Sequence, residues 1–103
     1  MIVLEQDNLK ELLESNKQVI VQYGAGWCGM CRMIKPQFES LSKETDGVTF
    51  VYADAEKFPG TREFAEVKNL PTFAGFKDGK LVTNKMGAKK EVIQEVLDAI
   101  ASH

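Results

Sequence analysis

Apolar positions fall into two kinds of run along the chain, and their alternation predicts its elements. Gln18-Val19-Ile20-Val21-Gln22 is nearly continuous apolar sequence, which predicts a buried strand reaching Tyr23. Beyond it, Cys31, Ile34, Phe38 and Leu41 recur at steps of three, four and three, the period of a helix with one inward stripe. That helix is predicted from Cys28 to about Glu44, with Pro36 inside it deleting a backbone donor and bending the axis. Asp46-Gly47 stops it, and Val48 to Asp54 reads as a third strand. Residues 18 to 54 then make one βαβ unit with a right-handed crossover.

The flanks follow the same logic. Ile2-Val3-Leu4 predicts a short first strand, and Asp7 or Asn8 is placed to cap a helix using Leu9, Leu12 and Leu13. Lys57-Phe58-Pro59-Gly60 reads as a loop, and Thr61 to Lys68 as a short helix with Phe64 and Ala65 inward. Thr72 to Phe76 and Leu81 to Met86 form a hairpin about Asp78-Gly79, a strong two-residue turn signal. Gly87 ends the second strand, and Val92, Ile93, Val96, Leu97 and Ile100 line one side of a helix from about Lys89 to Ala101. The order β-α-β-α-β-α-β-β-α predicts a single α/β domain over residues 1 to 103: a mixed sheet of four or five strands flanked by four helices.

Composition narrows the setting. The chain has 103 residues, 44% apolar and 27% charged, which is enough for a core without disulfide staples. A formal net charge of -2 argues against nucleic acid or an anionic membrane as partner. Met1 to Asp7 carry no basic leader, apolar signal core or cleavage site, and no apolar run approaches a membrane span, so a cytoplasmic protein is expected. The charges at Lys57, Arg62, Glu63, Glu66 and Lys68 read as a solvated face, and Met33 as packing.

The chemistry is concentrated at Tyr23-Gly24-Ala25-Gly26-Trp27-Cys28-Gly29-Met30-Cys31-Arg32, where a strand gives way to a helix. Both cysteines of the chain lie here, spaced C-x-x-C. Cys31 belongs to the inward stripe, whereas Cys28 lies one turn earlier at the capping end. A helix start offers free N–H groups and the positive end of the macrodipole, which favour a thiolate at Cys28. Met30 adds an N–H that a proline there would lack, and a donor beside the Cys28 sulfur would make the couple more oxidising.

Trp27-Cys28-Gly29-x-Cys31, Pro36, Leu70-Pro71-Thr72, Asp78-Gly79 and Gly87 together resemble the thioredoxin family over nearly the whole length. The resemblance implies the thioredoxin fold and a protein-disulfide reductase. In it Cys28 attacks a substrate disulfide and Cys31 resolves the mixed disulfide. It also implies a cis Pro71 packed on the cysteines, with the main chain of Leu70 pairing with substrate. By the same resemblance, Trp27, Gly29, Met30, Gly87 and Ala88 would form the rest of the rim around the attacking sulfur. Electrons would come from NADPH through a thioredoxin reductase, with no cofactor bound, no metal, and a monomer acting on disulfide-containing proteins.

The chain departs from the family pattern at four places. Met30 stands where proline is usual, and Gly24-Ala25-Gly26 replaces an aromatic-Ala-acidic or aromatic-Ala-Pro stretch. Gln22 occupies the place of the family's buried aspartate, and Tyr52 that of the lysine facing it, so both are candidate tuning residues. The loss of that charge pair raises an alternative: a specialised protein serving one partner or assembly, with weak general reductase activity.

Two other classes fit fragments of the sequence. Gly24, Gly26 and Gly29 satisfy G-x-G-x-x-G after a strand, with Asp54 downstream, as a dinucleotide-binding turn would. A zinc site would need four ligands, and the chain offers two cysteines and a terminal His103.

Overall fold

In a computed structural model describing all residues from Met1 to His103, the chain runs through five strands and three α-helices. In order these are β1 (Ile2–Val3), α1 (Leu9–Ser15), β2 (Gln18–Gly24), α2 (Gly29–Glu44) and β3 (Thr49–Asp54). A 3-10 segment (Pro59–Phe64), β4 (Thr72–Lys77), β5 (Lys80–Met86) and α3 (Lys90–Ser102) follow. The strands form one mixed sheet in the order β1-β3-β2-β4-β5. β3 pairs in parallel with β1 and β2, whereas β4 pairs antiparallel with β2 and β5. No helix is long and apolar enough to cross a membrane.

β2 lies at the centre with covered residues on both faces, which is why it reads as a continuous apolar run rather than an alternation. Its register sorts the side chains into two cores. Ile20, aligned with Phe50, faces α2 and α3, joining Ile34, Phe38, Phe73, Ile93, Val96 and Ile100. Val21, aligned with Val51 and Ala74, faces the other way with Leu9, Leu13 and Phe58. The predicted stripe of α2 is buried as Cys31, Ile34, Phe38 and Leu41. Phe38 holds α2 to the sheet, its ring centroid 4.9 Å from that of Phe50 and 5.5 Å from that of Phe73. Truncating so buried a phenylalanine to alanine costs about 3–5 kcal/mol.

The departures from expectation have local causes. The predicted fourth helix over Thr61 to Lys68 is instead the 3-10 segment, starting and ending earlier. Pro59 and Gly60 open it, and the Thr61 hydroxyl bonds back to the Phe58 carbonyl at 2.7 Å, competing with an α-helical turn. Phe64 and Ala65 still pack against the core, but half-buried, and the inward residue is Thr61. Neither Asp7 nor Asn8 caps α1 with its side chain. Asp7 is drawn away to accept the Gly60 N–H at 2.9 Å, tying α1 to the 3-10 segment. At the hairpin the expectation holds: Asp78 and Gly79 both have positive φ, 53° and 81°, as a type I′ turn requires.

This topology gathers one edge of the sheet. β2 ends where β4 begins, since Tyr23 pairs with Thr72, and β5 ends there too, since Thr72 pairs with Met86. β3 ends alongside, Gly24 pairing with Asp54. The segments next to these ends, from Ala25 to Cys28, Ala55 to Lys57, Leu70 to Pro71 and Gly87 to Ala88, therefore meet.

Candidate active site

Cys28 is the N-cap residue of α2, with extended backbone (φ -86°, ψ 103°), and Cys31 sits in the first turn of that 16-residue helix. The two are joined as a disulfide with 5.3 Å between their Cα atoms. Cys31 N–H donates to Cys28 Sγ at 3.2 Å, so the sulfur does the work that Ser, Thr or Asp does at most helix starts. Cys28 retains 6% exposure and Cys31 none. With Ala25 they form a small buried cluster, sealed by a half-buried Leu70.

The rim takes shape from the converging loops. Leu70–Pro71 is a cis peptide bond, and the Gly87 N–H donates to the Pro71 carbonyl at 3.1 Å, holding the two loops together. Gly87 has φ +130°, which a residue with a side chain rarely adopts. Trp27 is exposed (68%), and its indole N–H donates to Glu56 Oε1 at 2.8 Å. Gly29 and Met30 are exposed, Pro71 is buried and Ala88 is half-buried. The predicted rim residues thus lie on the loops that meet at this edge of the sheet, at depths that range from open to covered, with Leu70 packed on the cysteine cluster itself.

Beneath the pair lies Gln22. It is fully buried, aligned across the sheet with Tyr52 on one side and Phe73 on the other. Its Nε2 donates to the Cys31 carbonyl at 3.1 Å, while its Oε1 has no partner. The reverse orientation of the amide would set two acceptors face to face. Tyr52, the other predicted tuning residue, points its ring at α2, where the Lys35 ammonium lies 4.4 Å from the ring centroid. Its hydroxyl crosses Gly24, where an added methyl would stand 2.5 Å from that oxygen. Burial, and secondly the charge of Asp54, push the Tyr52 phenol above its ordinary value.

Three participants were not predicted from the sequence. Glu56 is 29 residues from Trp27, and no spacing pattern links a turn carboxylate to that indole. Arg32 folds back so that its guanidinium donates to the Gly26 carbonyl at 3.1 Å, bracing the loop before Cys28. Met33, expected to be packing from its residue type, is instead 62% exposed, since it lies outside the predicted stripe of Cys31, Ile34, Phe38 and Leu41 that is turned to the sheet. The supposed solvated face holds: Lys57, Arg62, Glu63, Glu66 and Lys68 are all exposed.

The geometry of the glycine motif does not suit a dinucleotide. Gly24 lies within β2 against Tyr52. The Asp54 carboxylate, which would have to meet a ribose, accepts from its own turn at Glu56 N (3.0 Å) and Lys57 N (2.9 Å). No group of three or more Cys, His, Asp or Glu side chains gathers anywhere in the structure.

Comparison with known proteins agrees with the site. The family model described as Thioredoxin matches residues 1–99. A thioredoxin of Callithrix jacchus is 38% identical over 95 residues, covering 90% of this chain and 90% of that protein. Among solved structures, Fasciola hepatica thioredoxin superposes with a TM-score of 0.84 at 34% identity, covering 100% of this chain and 99% of the other. Plasmodium falciparum thioredoxin gives 0.87 at 26% identity, covering 95% and 97%. A vicinal cysteine pair capping a helix, a cis proline beside it and these matches have one reading: the chain belongs to the thioredoxin family, and its chemistry is thiol–disulfide exchange that reduces protein disulfides.

Proposed function

We propose that Cys28 is the attacking residue and Cys31 the resolving one, with Trp27, Gly29, Met30, Leu70, Pro71, Gly87 and Ala88 as the surface on which the substrate disulfide is presented. The observation that carries this is the asymmetry of the pair. Cys28 alone has exposure, and its sulfur alone receives a backbone N–H at the positive end of a helix. In the reduced protein, the Cys28 thiolate attacks one sulfur of the substrate disulfide, and the other sulfur leaves as a thiolate that takes a proton. Cys31 then loses its proton and attacks Cys28 Sγ. The mixed disulfide breaks, the second substrate thiol is released, and the Cys28–Cys31 bond closes. Two electrons pass to the substrate.

Restoring the dithiol needs two electrons from outside the chain, and we assign them to NADPH through a thioredoxin reductase, with the protein acting as a cytoplasmic monomer. Gln22 and Tyr52 tune the pair from below. A Cys31→Ser variant incubated with disulfide-containing proteins should accumulate mixed disulfides through Cys28 that dithiothreitol releases, and Cys28→Ser should accumulate none. The opposite pattern would reverse the roles. NADPH oxidation by an added thioredoxin reductase, dependent on this chain, tests the electron source separately.

A further inference from the structure

The surface assigned to substrate through Trp27 and Met30 is prolonged along α2 by Met33, a residue that the exchange reaction itself does not require. Trp27 (68% exposed), Met30 (55%) and Met33 (62%) follow one another at steps of three residues. Met30 and Met33, three apart on α2, share one face of its first two turns. Large apolar side chains exposed together are the signature of a surface that another molecule covers. The cations that could have screened them are turned away: Arg32 is bound back to the Gly26 carbonyl (3.1 Å), and the Lys35 ammonium sits over the Tyr52 ring (4.4 Å). Beyond Met33 come Pro36 and Gln37, both exposed, so the row of large apolar side chains is short and begins beside the cysteines.

We propose that Met33, with Met30, reads the residues flanking the substrate's reactive cysteine and selects large apolar ones. This rests on the exchange role of Cys28 given above. The occupant is an apolar segment of the disulfide-bearing protein, because Met30 stands between the two cysteines that such a segment must approach and Met33 follows one helical step on. Methionine suits the task. It is unbranched and polarisable, so it moulds itself to apolar partners of varied shape. Met33 touches no reacting atom; it determines specificity.

The test compares two synthetic peptides, each closed by one disulfide and identical except for Leu-Val or Ser-Asn beside the reactive cysteine. Second-order rate constants for the pre-reduced protein are read by the fluorescence of Trp27, the single tryptophan. The unmodified protein should prefer the apolar peptide. Met33→Lys should lower the ratio of the two constants about fivefold, the effect of losing part of one buried methionine surface, and Met33→Leu should keep it. An unchanged ratio in Met33→Lys, or an equal loss in Met33→Leu, overturns the proposal. A concentration-dependent dimer of the unmodified protein that Met33→Lys dissolves would make a second copy the occupant and overturn it too. Reaction with neither peptide would overturn the exchange roles, and this inference with them.

Discussion

Gln22 and Cys31 are joined by a bond from the amide Nε2 to the cysteine carbonyl, 3.1 Å long and wholly buried, which pins the first turn of α2 to the central strand. The same amide leaves Oε1 without a partner, an uncommon cost of about 1–3 kcal/mol in a buried site. A glutamine here positions Cys31 without being able to take its proton.

Gln22→Asp should therefore divide two properties that usually move together. The carboxyl group supplies a base near the inner thiol, so resolution of the mixed disulfide around pH 7 should become faster. It also removes the donor to the Cys31 carbonyl and buries a charge with no cation opposite, since Tyr52 occupies the facing position. Urea unfolding should show a loss of about 1–3 kcal/mol. Stopped-flow reduction of a disulfide substrate across pH reads the rate. An unchanged rate would place the base elsewhere.

Sequential labelling tests the asymmetry of the pair. Cys28 keeps 6% exposure at the helix start and Cys31 has none, so iodoacetamide at neutral pH should modify Cys28 of the reduced protein first, by about tenfold or more. Peptide mapping that finds Cys31 labelled as fast would contradict the assigned order.

The role expected for Met30 changes with the structure. Cys31, not Met30, supplies the N–H bonded to Cys28 Sγ, so Met30→Pro removes no donor from that sulfur. Equilibration with glutathione mixtures should find the potential moved by less than about 30 mV, the equivalent of about 1.4 kcal/mol for two electrons. A larger shift would mean that the Met30 N–H reaches the sulfur once the disulfide opens.

Much of this was legible in the sequence, for physical reasons. The period of Cys31, Ile34, Phe38 and Leu41 fixed which side of α2 is buried, and Asp78-Gly79 fixed the turn, because both signals are local. The rim was reached only through the family resemblance, since Leu70, Gly87 and Trp27 meet through strand order. Glu56 and Arg32 escaped both routes. Each is one charged residue among many until the fold brings it to an indole N–H or a loop carbonyl. The 3-10 segment was missed because a buried Thr61 and a proline-glycine start leave a weak apolar period.

Glu56 fixes the orientation of Trp27, and its removal should be visible at that ring. Glu56→Ala should lower the steady-state fluorescence anisotropy of Trp27 and raise KM for a protein disulfide about two- to threefold, in keeping with one exposed bond. Glu56→Gln keeps an acceptor and should behave nearly as the unmodified protein. Equal losses in the two variants would point to charge rather than the hydrogen bond.

Tyr23 sets the alkaline limit of the fold. It is fully buried on β2, and its hydroxyl donates to the Thr61 carbonyl at 2.9 Å, holding the 3-10 segment against the sheet. Burial pushes its phenol far above the ordinary value of 10.0. The unfolded chain ionises first, so the unfolded state binds fewer protons than the folded one as pH rises beyond 10, and stability must fall. For this one group the slope is about 1.4 kcal/mol per pH unit, and the contribution is fully present below pH 10. Tyr23→Phe should lose about 1–2 kcal/mol at pH 7, because the Thr61 carbonyl is left without its partner. Above pH 10 the variant's stability should decline less steeply, and the two curves should converge and then cross. Urea midpoints between pH 8 and pH 11.5 (about the range that hydroxide chemistry permits) measure both curves. Parallel curves would show that Tyr23 is free to ionise in the folded protein, and therefore not sealed beneath the sheet.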